Sequence, residues 1–237
     1  LKNARSKVFV VGATTLNRFR GWGFPAKKLV NLPIFVAVDE DLSAYHARRS
    51  QLLKQYAVKP QVFLISAGSR LIQEKGYDLL IKAIGLLDAG IREHIKVVIV
   101  GSGDCLPDLE QLVIDLNLSE QIIMEKWLAI DDFKTLIANS DVFIHPSRFD
   151  SYGGTTLGMA LGVPVIGSNS AGAAFDRIEQ GRNGFLYDAE DIQALANFIT
   201  LLYQNPERKR QMGAEAYKTA SQWPPLRGAD IILNNAI

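Results

Sequence analysis

The sequence predicts a doubly wound α/β fold, and three observations predict it. Apolar runs of strand length recur along the chain, longer amphipathic stretches alternate with them, and the apolar runs are continuous. Continuous runs suit parallel strands buried on both faces, whereas strands with one wet face alternate polar and apolar residues. Strand–helix alternation of this kind builds a parallel sheet with helices on both sides.

In chain order, the first strand candidate is the valine-rich run Val8–Gly12. A short helix follows and is broken by Gly21-Trp22-Gly23-Phe24-Pro25. Asn31-Leu32-Pro33-Ile34-Phe35 then leads into a polar helix over Leu42–Tyr56. Residues 1–59 read as the tail of a preceding domain plus a linker, and a chain that opens without Met reads as a piece of something longer. Residues 60–205 read as one doubly wound unit. Its strand candidates are Val62–Ser66, Lys96–Val100, Gln121–Glu125, Val142–His145, Pro164–Gly167 and Gly184–Tyr187, rich in the β-branched and aromatic residues that pack on a pleated surface. Its helix candidates are Tyr77–Ala89, Leu106–Leu116, Asp132–Ser140, Thr155–Leu161 and Ile192–Tyr203, with apolar residues three and four apart. Residues 206–237 form a helical tail that opens with a charged amphipathic helix over Pro206–Gln222, and its Arg208-Lys209-Arg210 cluster reads as a solvated face.

Bulk properties exclude several classes. A hydrophobic content of 48% is enough for one large core or for one core plus part of another. A net charge of +1 gives no support for general nucleic-acid binding. The sole cysteine, Cys105, rules out an internal disulfide and fits a reducing compartment, so a cytoplasmic location is expected. No apolar run reaches the roughly 20 residues needed to cross a bilayer, and no secretory signal stands at Leu1.

Ligands of open α/β sheets bind beyond the carboxyl ends of the strands. That rule selects the loops at 66–76, 101–104, 126–131, 146–154 and 168–174. The 146–154 loop is the most informative. Asp150 stands just past a strand, beside Gly153 and Gly154, which open a helix; a carboxylate is thereby set next to free backbone N–H groups that favour phosphate. In the 66–76 loop, Gly68 is followed by Arg70 and Lys75, two cations placed to converge on one anion. Gly101-Ser102-Gly103-Asp104 makes a tight turn after a strand but lacks the third glycine of a dinucleotide fingerprint, which argues against NAD. Asp39-Glu40-Asp41 has an acid spacing that can hold a divalent metal, but it sits on a linker-like segment and no metal site is expected. His46, His94 and His145 lack ligand spacing, and His145 reads as a satisfied structural residue. No G-x-S-x-G elbow or Cys–His nucleophile arrangement is present.

In order, Gly68-Ser69-Arg70-Leu71…Glu74-Lys75-Gly76, Gly101-Ser102-Gly103, Asp141–Arg148, Ala160–Ile166, Ala171-Gly172 and Gly181–Leu186 resemble the carboxyl-terminal, donor-binding half of family 4 retaining glycosyltransferases, which have the two-domain GT-B fold. The resemblance covers about residues 60–205, and Phe24–Pro33 resembles the interdomain stretch. It implies that Arg70 and Lys75 hold the donor diphosphate and that Asp150 is the acid associated with the donor sugar. Ser151, Tyr152, Gly153, Gly154, Thr155 and Thr156 match the cradle for sugar and phosphate, with Gly68 and Gly101 in the flanking turns. Trp127, Leu128 and Ala129 match the loop near the nucleotide base. The implied activity is metal-independent, retaining transfer from a nucleoside-diphosphate sugar to a glycan or lipid-linked acceptor, without a cofactor. The acceptor would bind through the missing amino-terminal domain, as would any peripheral membrane contact. One departure stands out: a second acid, associated with the ribose, should fall at Gly158. Thr155 and Thr156 are the substitutes at hand, and Gly158 together with the shorter acid Asp150 motivates a second reading, a non-catalytic glycosyltransferase-like binding or scaffolding module.

Overall fold

The chain, described from residue 6 to residue 235 in a computed structural model, opens with β1 (Val8–Val10), α1 (Gly12–Gly21) and β2 (Leu29–Asn31). β1 and β2 form a two-stranded parallel pair of their own. The polar helix expected over Leu42–Tyr56 is two helices, α2 (Ser43–Ala47) and α3 (Arg49–Gln55), separated at Arg48. Arg48 itself keeps helical backbone angles, and its guanidinium donates to Thr135 Oγ1 at 2.9 Å and pairs with Asp132 at 2.5 Å.

A six-stranded parallel sheet follows. Its strands and helices are β3 (Phe63–Gly68), α4 (Tyr77–Gly85), α5 (Ala89–Arg92), β4 (Ile95–Val100), α6 (Leu106–Asp115), β5 (Ile122–Glu125), α7 (Ile130–Ala138), β6 (Val142–His145), α8 (Thr155–Ala160), β7 (Val165–Ser168), α9 (Gly172–Arg177), β8 (Gly184–Tyr187) and α10 (Ile192–Gln204). The tail forms α11 (Pro206–Ser221) and α12 (Pro225–Leu233), each with proline in its first turn, where no N–H is needed. The expected helix over Tyr77–Ala89 ends early, at Gly85, and α5 resumes after Asp88. β2 and α9 have no counterpart among the expected elements, and α12 lies in the expected helical tail.

The strand order is β5-β4-β3-β6-β7-β8. The continuous apolar runs have the predicted cause. Ile65, Ala67, Val97 and Ile99 enter one core with α4, α6 and α10, while Leu64, Val98 and Val100 enter the opposite core with α3 and α7. The chain fills one side of β3 through β4 and β5, then returns to the other side as β6, pairing Ile65 with Val142 and Ser66 with Phe143. Strand order therefore reverses between β3 and β6. Loops leaving these two strands diverge to opposite faces and open a crevice at their carboxyl ends.

Candidate functional site

Two loops meet at that crevice, 69–76 after β3 and 146–154 after β6. Gly76 makes their approach possible. Its φ is 67°, and a Cβ there would lie 2.1 Å from Pro146 O. Phe149 N donates to Glu74 O at 3.1 Å. Arg148 straps the junction. It makes a two-pronged ion pair with Asp78 at 2.6 and 2.8 Å, reaches Gln73 O at 3.1 Å, and bonds Glu190 at 2.9 Å. Arg148 is thereby occupied by protein. The 69–76 loop is also stitched to the glycine turn after β4: Leu71 N donates to Ser102 O at 2.8 Å and Cys105 N to Leu71 O at 3.0 Å. Gly101 is anchored to the edge strand by its N–H to Glu125 O at 2.9 Å, and Gly68 closes β3 against the Phe133 ring.

Lys75 Nζ lies 2.6 Å from Asp150 Oδ2, both side chains nearly buried. His145 Nε2 lies 3.1 Å from the same oxygen, and its Nδ1 is 2.8 Å from Thr155 Oγ1. The Tyr152 N–H donates to Asp150 Oδ1 at 3.2 Å. Burial alone would raise the Asp150 pKa, but the hydrogen bonds and charges of His145 and Lys75 outweigh it and hold the carboxyl well below the usual carboxylate range. Gly153 closes the group. With φ at 77°, it sits where a Cβ would be 2.3 Å from His145 Cε1 and 2.5 Å from Asp150 Oδ2. The backbone N–H groups of Gly153, Gly154, Thr155 and Thr156 have no acceptor among the described residues. The crevice thus presents a buried, fixed carboxylate, a cation and a fan of unpaired N–H donors, a combination suited to a hydroxyl-rich ligand with a phosphate tail.

The structure distributes the expected residues unevenly. Lys75, Asp150 and Thr155 come together with His145, which sequence reasoning set aside as structural. Its ring is indeed satisfied, yet it touches the central carboxylate. Its position at the carboxyl end of β6, five residues ahead of Asp150, was the available signal. Arg70 and Lys75 share no protein anion: Arg70 is exposed, and its guanidinium has no partner among the described residues. Ser151 is exposed, and Thr156 is half-buried beside Met159, Arg177 and Trp223. Trp127, Leu128 and Ala129 lie after the edge strand β5, two strands from β3. Trp127 is 57% exposed, and Leu128 borders a polar cavity with Tyr56, Gln55 and Thr135.

Gly158 is a closely packed position. The position faces the core and not the crevice: a Cβ there would lie 3.0 Å from Val165 Cγ2 and 3.1 Å from Phe143 Cβ. Glycine at 158 lets α8 settle against β6 and β7, and an acid there would point into apolar packing. Thr155, buried and bonded to His145, is not free to replace such an acid. Asp39-Glu40-Asp41 is also accounted for by protein contacts. Asp39 accepts from Tyr45 at 2.8 Å and Lys134 at 3.2 Å, and Asp41 caps Ser43 at 2.8 Å. The described residues contain no cluster of three or more His, Cys, Asp or Glu placed to hold a metal, and no helix among them is long and apolar enough to cross a membrane.

Comparison with known proteins agrees with this geometry. The model of the family "Glycosyl transferases group 1" matches residues 49–219. A GDP-mannose-dependent alpha-(1-6)-phosphatidylinositol monomannoside mannosyltransferase of Mycolicibacterium smegmatis is 27% identical over 219 residues, 89% of this chain and 56% of the relative. A protein of the same name from Mycobacterium tuberculosis is 29% identical over 227 residues, 91% of this chain and 57% of its own. This chain thus spans about half the length of the curated relatives it matches. Anabaena Alr3699/HepE, solved in complex with UDP-glucose, has a TM-score of 0.85 at 24% identity, over 98% of this chain and 64% of that one. WaaG, a glycosyltransferase involved in lipopolysaccharide biosynthesis, has a TM-score of 0.82 at 17% identity, over 97% and 62%. These structural likenesses show the fold, a Rossmann-like doubly wound sheet of the GT-B kind.

Proposed function

The chain belongs to the group 1 glycosyl transferases, and from that premise we propose that it is the donor-binding half of a retaining, metal-independent hexosyltransferase. The whole enzyme would move a sugar from a nucleoside-diphosphate sugar to a glycan or lipid-linked acceptor held between this half and another. The observation that carries the reading is the Lys75–Asp150–His145 cluster joined across the strand-order reversal, beside unpaired N–H groups.

In this reading the donor diphosphate lies against Lys75, Arg70 and the N–H groups from Gly153 to Thr156. Asp150, kept ionised by its neighbours, accepts hydrogen bonds from sugar hydroxyls and orients Lys75; it is an acceptor, not a proton donor. The main chain at Trp127–Ala129 faces the base. As the anomeric C–O bond breaks, negative charge grows on the departing phosphate, where the cations and N–H donors already point. Stabilisation that strengthens toward the transition state accelerates the step. The acceptor hydroxyl attacks the same face that the phosphate leaves, and its proton passes to a leaving phosphate oxygen. Retention then needs no protein nucleophile.

Calorimetric titration of this chain with UDP, GDP and ADP, with and without Mg, tests the reading, beside an Arg70→Ala/Lys75→Ala double variant. The expected result is metal-independent binding of one nucleotide that disappears in the variant. Binding by the variant as tight as by the unaltered chain would refute the site. No binding of any nucleotide by the folded chain would favour the non-catalytic module instead.

A further inference from the structure

The loop that carries Asp150 is fastened to both ends of α9. At the start of the helix, Gly172 N donates to Asp150 O at 3.0 Å and Ala173 N to Tyr152 O at 3.1 Å. A Cβ at Gly172 would be 2.2 Å from Ser151 O, so the contact needs glycine. At the end of the helix, Arg177 Nε donates to Tyr152 OH at 2.9 Å. Tyr152 is fully buried and Arg177 is 5% exposed. Arg177 Nη1 and Nη2 have no hydrogen-bond partner among the described residues. The Arg177 guanidinium carbon lies 3.4 Å from the centroid of the Trp223 ring, at the α11–α12 junction, and Arg227 lies 3.8 Å from the same ring.

Buried cations are normally paired, because desolvation without a partner is costly. Stacking on Trp223 offsets part of that cost. A Met or Leu would fill the same space without it. What arginine adds is the bond to Tyr152, two residues from Asp150. The adjacent Asp176 receives Ala13 N at 3.1 and 3.2 Å and so caps the start of α1. One short helix thereby grips the Asp150 loop with one residue and the amino-terminal segment with the next.

We propose that Arg177 is a positioning residue: through Tyr152 it fixes the Asp150 loop, and through Trp223 it makes that loop depend on how the α11–α12 junction is seated. The functional consequence rests on the reading of Asp150 as the donor-sugar acid. The test is amide hydrogen exchange of the nucleotide-free chain, followed by UDP and GDP titration, for Arg177→Met, Arg177→Lys, Tyr152→Phe and the Arg177→Met/Tyr152→Phe double variant. Exchange at the Asp150, Tyr152, Gly172 and Ala173 amides, which make the bonds of this loop, should rise about tenfold in Arg177→Met and Tyr152→Phe, the worth of one hydrogen bond to a charged group. The double variant should exchange no faster than the faster single, Arg177→Lys should recover part of the protection, and β3 and β4 should stay protected. Nucleotide affinity should fall about tenfold in the same variants. Unchanged exchange at these four amides in both single variants, or fully additive effects in the double, overturns the proposal. If Arg177→Met fails to fold, Tyr152→Phe, which loses one hydroxyl, decides it. Exchange that behaves as expected in a chain that binds no nucleotide would sink the donor-site reading and leave the tether standing.

Discussion

Two loops on the carboxyl edge of one sheet are built in opposite ways. The loop after β6 is welded: Asp150 is pinned by Lys75, His145 and a backbone N–H, and Gly76, Gly153 and Arg148 hold the surroundings at van der Waals distance. The loop after β5 is open, with Trp127 57% exposed and Lys126 N bonded only to the neighbouring Glu125 carboxylate, at 2.8 Å. Under the proposed function, the contrast would separate two kinds of recognition. Charge that develops during a reaction is best met by groups that need not reorganise, because reorganisation would consume the stabilisation. A flat base can be met by main chain at an accommodating edge.

The largest expected departure comes from Lys75→Ala. It leaves a nearly buried carboxylate with one partner fewer, so chemical unfolding should show a loss of about 3 kcal/mol. Nucleotide affinity should fall by about a hundredfold, the worth of a strong charge-assisted contact. A Lys75→Ala protein with unaltered stability and binding would mean that the ion pair is ornamental.

Asp150→Asn sharpens the electrostatic half of the contrast. The folded carboxyl sits below its unfolded value of about 3.9, so its contribution is fully present above that value and is lost as pH falls toward the folded one. Thermal unfolding between pH 5 and 2 should therefore be less steeply pH-dependent in Asp150→Asn than in the unaltered chain. Identical slopes would show that the cluster does not hold the carboxyl ionised.

Arg70→Ala should behave differently from Lys75→Ala, since the Arg70 side chain is exposed and unpaired. Stability should stay within about 0.5 kcal/mol, while affinity for the diphosphate falls about tenfold by calorimetry. A large stability loss would reveal a structural role that the geometry does not contain. Smallest of all, Trp127→Ala should change nucleotide affinity less than about threefold, because the open loop is expected to use its main chain. A larger drop would mean that the indole itself meets the base, as aromatic stacking on a base is worth about 1–3 kcal/mol.

The sheet was legible because burial on both faces leaves unbroken apolar runs. Val142–His145 and Gly184–Tyr187 match the expected boundaries, and the other sheet strands differ by one or two residues. Less legible were features that depend on distant partners. The break at Arg48 falls where the side chain reaches Thr135 and Asp132, which lie more than eighty positions away. α9 is only six residues, Gly-Ala-Ala-Phe-Asp-Arg, too short for a periodic signal. In the crevice, Asp150 and Lys75 were visible from their place after strands, but the third member was not: a histidine ending a strand looks like packing until the neighbouring loop folds back over it. The packing of Gly158 was not legible either: only the structure shows that Phe143 and Val165 lie against it.

Lys75 and Asp150 stand 75 positions apart, and that separation has a consequence for the order of events during synthesis. β3 can pair with β4 soon after both are made, but its other edge waits for Val142–His145. Contacts of such high sequence separation form late, after a large loop-closure penalty. At about 5–20 residues per second on the ribosome, the edge at Ile65 and Ser66 stays bare for several seconds, open to pairing with any passing strand. The crevice therefore cannot exist until β6 and the loop after it are made, and the interval before that is when this strand edge is open to aggregation.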